Sequence, residues 1–402
     1  MKIKKQHILF SLLCVIVFAL ACVAVYTYFI KDNPGGNDFY SRWAGARALL
    51  VDGKDPYSLE VTAEIQKVKG IPSELVGKGS FAYPLHVVFL FFPLAYLSYA
   101  WAMAIWMVML WGIIIAITFL LLNYLAWQPR PLTLVALLLY ALFSYPIFRS
   151  VLLGQFTLHV TLFLIAALWC LQCGHDGWAG IFLAATSIKP QMMPLIGVWF
   201  VVWAISKRRW GFMKGLLGGG AAMFLAALLL FPRWPISFLE DIQRYAPVAG
   251  GRNPLLVLAD LAGWQNAGWF QYGVTAVLIV AMLIAWWRSL RHEDIALFEL
   301  ALYWTIVVSL LVTFQTGTTN QAILLIPFFA WLKRGSQEIS AWTTAVIAGV
   351  AFFGLWALFL QTISGDYENP ILFVPAPLLA LLILIGTQLK QRQHETLAQT
   401  HS

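Results

Sequence analysis

The chain has 402 residues, of which 61% are hydrophobic and only 11% charged, against about 25% charged in an ordinary soluble domain. With 26 basic and 18 acidic side chains it cannot build a charged surface over a water-exposed body of this size, which excludes a soluble globular enzyme. A net charge of +8 would suggest nucleic acid in a soluble protein. Here the bases fall in short clusters between apolar runs and act on membrane topology, so no nucleic-acid partner is expected. The four cysteines are too few, and too deeply set in apolar runs, for a disulfide framework.

In chain order, three lysines within residues 1–5 precede an apolar run over 8–30, about the ~20 residues a helix needs to cross the hydrocarbon. The run is longer than a signal-peptide core and lacks a cleavage site, so it reads as a retained anchor with a cytoplasmic N-terminus. Later basic clusters stand at Arg130, at Lys207 to Arg209 with Lys214, at Arg288 and Arg291, at Lys333 and Arg334, and at Lys390 and Arg392. Placing each of them in the cytoplasm gives spans at 8–30, 100–125, 131–148, 156–173, 177–189, 190–205, 211–231, 271–288, 295–314, 319–333, 339–362 and 371–389. The expected fold is therefore an all-α polytopic bundle of about 12 transmembrane helices, with both termini inside and one integral membrane domain over 1–402. Phe81 to Tyr99 is apolar but fits no crossing without reversing every later cluster. Pro84 and Pro93 mark it as interfacial or re-entrant, since each removes a backbone donor; the alternative is a full crossing, with thirteen spans and the C-terminus outside.

The polar residues collect on the side assigned to the outside. The first outer loop, 31–80, holds seven of the eighteen acids, and a second, 232–270, is rich in Trp, Arg and Asn. Arg149 with Gln155, Lys189, and Gln315 with Asn320 and Gln321 stand at outer helix ends. A charge near hydrocarbon costs at least ~2.5 kcal/mol, so Lys189, in Ser-Ile-Lys-Pro-Gln, needs an anionic partner or a water-filled cavity. Together these residues describe an outward-facing cavity at the membrane boundary.

Asp38 opens a helical pattern in the first loop. It reads either as an N-cap or partner of Arg42 one turn on, or as a general base that takes a proton from an acceptor hydroxyl. Lys189 reads as a snorkelling side chain or as a phosphate contact beside the helix that Pro190 starts, with Arg149 able to add a planar guanidinium. Cys170 and Cys173 with His175 and Asp176 resemble half a zinc site, but no second pair of ligands follows, and a helix end is the better account. Glu299, a few residues inside a span, reads as protonated or paired, in a structural role. Gly218-Gly219-Gly220 lies in an apolar run and reads as close helix packing. No phosphate-cradling glycine loop, HExxH or GxSxG is present in the sequence, so nucleotide-driven chemistry is not indicated.

In the order and spacing of DFYSRWAGARALLVDGKDPY from Asp38 to Tyr57, of Phe81-Ala82-Tyr83-Pro84, of Gly154-Gln155, and of Ile188-Lys189-Pro190 followed by Lys-Arg-Arg-Trp, the chain resembles glycosyltransferase family 87. This is the polyprenyl-phosphate-mannose-dependent alpha-1,2-mannosyltransferase-like group of the GT-C superfamily. The resemblance implies a GT-C-like bundle with a helical first outer loop. It implies inverting transfer of a hexose, mannose in the family, from a polyprenyl-phosphate donor to a glycolipid or cell-envelope glycan on the outer face of the cell membrane. On that reading Asp38 is the catalytic base, Lys189 and Arg149 steady the departing phosphate, and Arg42, Tyr83, Gln155, Asn320 and Gln321 contact substrate. Neither a metal nor another cofactor is expected. The chain departs from the family pattern at Leu85, at Thr157, and at Asn320-Gln321, where a His-His pair is common. A lipid or glycan transporter or flippase, and a non-catalytic assembly subunit, are the competing classes. They differ from an enzyme in tolerating loss of Asp38.

Overall fold

The computed structural model describes residues 2–32, 35, 37–265, 267–314, 316–338, 340–364 and 368–400. Gln315 lies outside them, as do the side chains of Lys390, Arg392 and the N-terminal lysines. The described chain is all-helical, 80% helix with no strand. Eighteen α-helices run in order: α1 Lys2–Val25, α2 Asn37–Leu50, α3 Leu59–Lys69, α4 Val88–Phe91, α5 Tyr99–Tyr124, α6 Pro131–Phe143, α7 Tyr145–Leu153, α8 Thr157–Gln172, α9 Asp176–Ala185, α10 Pro194–Ser206, α11 Trp210–Leu230, α12 Trp234–Tyr245, α13 Pro254–Leu261, α14 Gly268–Arg291, α15 Ile295–Val312, α16 Leu325–Glu338, α17 Ala341–Thr362 and α18 Pro375–Thr400.

Among the described residues seven segments are long and apolar enough to cross a membrane: Ser11–Ile30, α5, α11, α14, α15, α17 and Pro370–Leu389. An eighth is gained if α6 and α7, bent by 48° at Ser144, form one broken span. Their outward residues are apolar: Leu229 is 88% exposed and Leu132 82%. Such a surface is stable against lipid and not against water. The chain is thus a multi-pass membrane protein. Of the remaining expected spans, those at 156–173 and 190–205 contain the shorter apolar helices α8 and α10. Those at 177–189 and 319–333 are divided between an α-helix and a 3-10 turn. Each interruption falls where the sequence places Pro or a run of polar residues, and Pro removes the donor on which the helix depends.

Phe81 to Tyr99 contains only the turns Leu85–Val87 and Leu94–Tyr96 and the single turn α4, as its two prolines require. None of these is long enough to cross.

The chain divides into two compact units, residues 1–116, 149–158 and 221–249 forming one and residues 117–148, 159–220 and 250–402 the other. In the first unit, α2 is rich in Ala, Leu and Arg, all strong helix formers. It ends at Val51-Asp52-Gly53, with Gly53 at φ 65°. Helix α3 begins at Ser58, whose side chain accepts from Val61 N–H, and stops at Gly70, which adopts the left-handed conformation at φ 62°, as cap and terminator rules expect. Beneath α2 lies an aromatic core of Phe39, Phe91, Trp106 and Phe156, all fully buried.

In the second unit α15 is central. Every residue from Ala301 to Leu311 is buried, matching its apolar character on all sides. Helices α9 and α11 meet through glycines: a Cβ at Gly215 would lie 2.0 Å from Gly177 O, and one at Gly180 2.1 Å from Phe212 O. The triple glycine contributes only through Gly219, which faces Ile181 at 3.2 Å, whereas Gly218 and Gly220 face open space. The contact is thus the small-residue crossing of membrane helices, carried mainly by glycines spaced four apart. Gly215→Val is expected to lower stability by about 1–3 kcal/mol through overpacking. Gly218→Ala is expected to be neutral or to add a few tenths. Thermal unfolding of the detergent-purified variants checks both.

Candidate active site

Asp38 sits in the first turn of α2, where the helix N-terminus favours a negative charge. Neither an N-cap nor a pair with Arg42 describes its contacts. The helix begins before it, at Asn37, and among the described residues no ion pair joins it to Arg42. Its Oδ2 instead accepts a short hydrogen bond from Gln155 Nε2. Gln155 reaches it because Gly154 turns the chain at φ 67° directly against Phe39, where a Cβ would lie 2.5 Å from Phe39 Cβ. Trp106 Nε1 donates to Gly154 O at 3.1 Å and holds that turn.

One helical turn beyond Asp38, Arg42 is 5% exposed. Its Nη2 donates to Tyr83 OH at 2.7 Å and to Gln155 Oε1 at 3.4 Å. The guanidinium lies 4.6 Å from the Tyr83 ring centre and 5.1 Å from that of Phe156, a cation–π arrangement that compensates part of the lost hydration. Nε and Nη1 are buried without a hydrogen-bond partner. A buried cation with two unspent donors in a planar fork is suited to a bidentate oxyanion.

Tyr83 is fixed from behind. Ala82 adopts φ 48°, which is unfavourable for a residue with a Cβ, and its N–H donates to Asp241 Oδ2 at 3.0 Å. Tyr57 OH donates to Tyr83 O at 2.7 Å, and Arg244 Nη2 to Tyr57 O at 2.8 Å. Asp241 is fully buried. Burial pushes its carboxyl above the usual carboxylate range, against the opposing pull of Ala82 N–H, Ser80 and Arg244. The second loop thus supports the first through α12, a role the sequence reading did not assign.

Two more groups near Asp38 escaped the sequence reading. Lys69, in the last turn of α3, donates to Ser41 Oγ at 3.2 Å. Burial pushes its ammonium below the ordinary value, opposed by the charge of Asp38. Burial, with Tyr83 and Asp38 adding to it, pushes the Tyr245 hydroxyl up to about 12, which keeps it a proton donor. Neither stands in a motif. Lys69 reads in sequence as one of the cations that end α3. Arg149, on α7, is half-buried.

The second unit carries the other predicted residues. Lys189 joins two 3-10 turns, Thr186–Ile188 and Pro190–Met192, and is 3% exposed. Its Nζ donates to Asn320 Oδ1 at 2.7 Å, and Asn320 Nδ2 donates to Thr316 Oγ1 at 3.3 Å. The snorkelling reading therefore does not describe Lys189, which is held inside. Gln321 turns elsewhere: its Nε2 donates to Phe373 O at 3.0 Å and Leu372 O at 3.3 Å. Around Cys170 and Cys173, Asp176 is paired with Arg209 at 2.6 Å. Among the described residues no group of three or more His, Cys, Asp or Glu could hold a metal ion.

The first unit thus brings Asp38, Arg42, Tyr83 and Gln155 together, with a carboxylate on one side of Gln155 and a buried guanidinium on the other. The second joins Lys189 to Asn320. No curated protein and no solved structure matches the chain. The model of glycosyltransferase family 87 matches residues 81–313, more than half of the chain, with Tyr83, Arg149, Gln155 and Lys189 inside the match. The all-helical polytopic architecture is consistent with GT-C membership. The chain belongs to glycosyltransferase family 87 and is a membrane glycosyltransferase.

Proposed function

We propose that the chain transfers a hexose, mannose in the first instance, from a polyprenyl-phosphate donor to a glycolipid or cell-envelope glycan. The transfer takes place on the outer face of the cell membrane, inverts the anomeric centre, and needs neither metal nor other cofactor. The observation that carries the reading is the Asp38 carboxylate, oriented through Oδ2 by Gln155 beside the buried, partly unspent Arg42. Among the described residues Asp38 Oδ1 has no hydrogen-bond partner and is available to a substrate hydroxyl.

In this mechanism Asp38 takes the proton of the acceptor hydroxyl as that oxygen attacks the anomeric carbon. The bond from the anomeric carbon to the phosphate oxygen breaks, and its electron pair leaves with the lipid phosphate. Lys189 and Arg149 are proposed as the cations that stabilise that charge. Arg42 offers Nε and Nη1 to a substrate oxyanion, and Tyr83 holds the guanidinium in place. The basic clusters between apolar segments support cytoplasmic termini. The acid-rich loop of residues 31–80, which contains Asp38, supports an outer-face site.

The reading predicts that Asp38→Asn lowers transfer of labelled sugar from polyprenyl-phosphate mannose to membrane lipid extract by about 10²–10⁴-fold, the usual contribution of a general base. Donor binding is expected to persist. Transfer at the wild-type rate by Asp38→Asn overturns the assignment of the base. Failure of the wild type to transfer any polyprenyl-phosphate sugar overturns the donor and favours a transport role. Arg42→Lys keeps the charge but loses the planar fork. It is expected to raise KM for the donor or the acceptor about tenfold with a smaller change in kcat, measured by varying each substrate in turn.

A further inference from the structure

The second unit contains a cavity of about 520 Å³ lined by α15, α16 and α18, with single turns of α6, α7 and α17, in the ~300–1,000 Å³ range of pockets that bury a ligand. Its wall has two characters. One part of it is apolar, lined by Phe328 and Trp331 of α16 and by Leu379 and Ile383 of α18. Toward the C-terminal end of α16 the lining is charged, with Lys333 and Arg334, Arg288 from the last turn of α14, and the acids Asp294 and Glu299.

The two acids are already engaged. Asp294 Oδ1 accepts Ala296 N–H at 2.8 Å as the cap of α15, and Glu299 Oε1 accepts the Tyr124 hydroxyl at 2.8 Å. Lys333 Nζ donates to Leu125 O. Arg288, half-buried, has neither a hydrogen bond nor an ion pair among the described residues. The charged end therefore carries more cations than acids. One turn deeper along α15 than Glu299, about 6 Å by helical rise, the Tyr303 hydroxyl lines the cavity. Tyr303 is 9% exposed, and its hydroxyl has no hydrogen-bond partner. A buried hydroxyl of this kind is a donor waiting for an acceptor.

We propose that the cavity holds an anionic glycerophospholipid. Its phosphate sits against Arg288 and Arg334, the Tyr303 hydroxyl donates to an ester carbonyl just below it, and one acyl chain runs along α16 and α18. Basic pockets between membrane helices bind lipid headgroups in this way. A soluble phosphate would meet the cations but leave the apolar wall unfilled. A zwitterionic lipid would bring its own cation to a site already rich in them. The site lies within one unit and does not depend on the sugar-transfer reading.

The test uses the full chain purified in detergent and measures both lipid retention by native mass spectrometry and the thermal unfolding midpoint. Phosphatidylglycerol, phosphatidylcholine and glycerol phosphate are added in turn. Phosphatidylglycerol is expected to be retained and to raise the midpoint, with little effect of the other two. The double variant Arg288→Gln, Arg334→Gln is expected to weaken retention about tenfold. Ala380→Phe, which fills the apolar wall and leaves the charges intact, is expected to abolish retention, and decides the matter if the double variant does not fold. Equal retention by both variants and wild type overturns the proposal, as does equal binding of phosphatidylcholine. Glycerol phosphate matching the lipid would assign the site to a free phosphate group and exclude the lipid.

Discussion

The constraint on which this structure depends is the backbone carbonyl. An apolar chain that breaks its helices frees carbonyls that lipid cannot hydrogen-bond, and here side chains from other helices supply the missing donors. Trp43 and Arg47 of α2 donate to Leu94 O and Ala95 O in the broken segment. Gln172 and Lys333 reach Tyr124 O and Leu125 O at the end of α5, and Trp356 reaches Phe143 O at the end of α6. Asn253 closes α15 by donating to Leu311 O and Thr313 O. Lys207 does the same for α14 at Leu290 O and His292 O. Much of the scarce polarity of this chain therefore serves the main chain, and a residue that escapes this duty is informative.

Arg42 is such a residue. Its partners are side chains, and two of its donor nitrogens have none. A buried, under-satisfied cation is costly, and the fold tolerates it through the rings of Tyr83 and Phe156. The aromatic core under α2 thus has two tasks. It anchors the first loop to α5, and it provides the apolar seat in which the Arg42 charge keeps its strength. Gln155 bridges the carboxylate and the guanidinium through its two amide ends, and no direct ion pair joins them among the described residues.

Much of this arrangement is legible in the sequence. Composition identifies a membrane protein, Asp38 and Arg42 share a helix face by spacing alone, and Pro84 and Pro93 announce a broken segment. The family motifs around Tyr83, Gln155 and Lys189 are legible for a related reason: each stands beside a proline or glycine that forces a turn. What the sequence hides is long-range. Nothing local distinguishes Asp241 from the other acids, because its task, receiving Ala82 N–H, depends on a partner far away in the chain. Span counting by basic clusters leads to about twelve crossings, while among the described residues seven or eight segments are long and apolar enough by themselves. Charge parity records the side of the membrane and is blind to how a short apolar run is divided between helix and turn. The same blindness separates Asn320 from Gln321, adjacent in sequence, of which one meets Lys189 and the other faces a distant backbone.

The left-handed Ala82 gives the first unit a mechanical property. Tyr83, Tyr57, Arg244 and Asp241 form a chain of contacts that begins at Arg42 and returns to Ala82 next to Tyr83. Such a closed circuit has no free end. The left-handed Ala82, at φ 48°, is held by the buried Asp241 carboxyl, so the strain of that residue is borne by α12. Helix α12 is thereby joined through Tyr83 to the Arg42 guanidinium, and the position of that cation depends on two segments distant in the chain from α2.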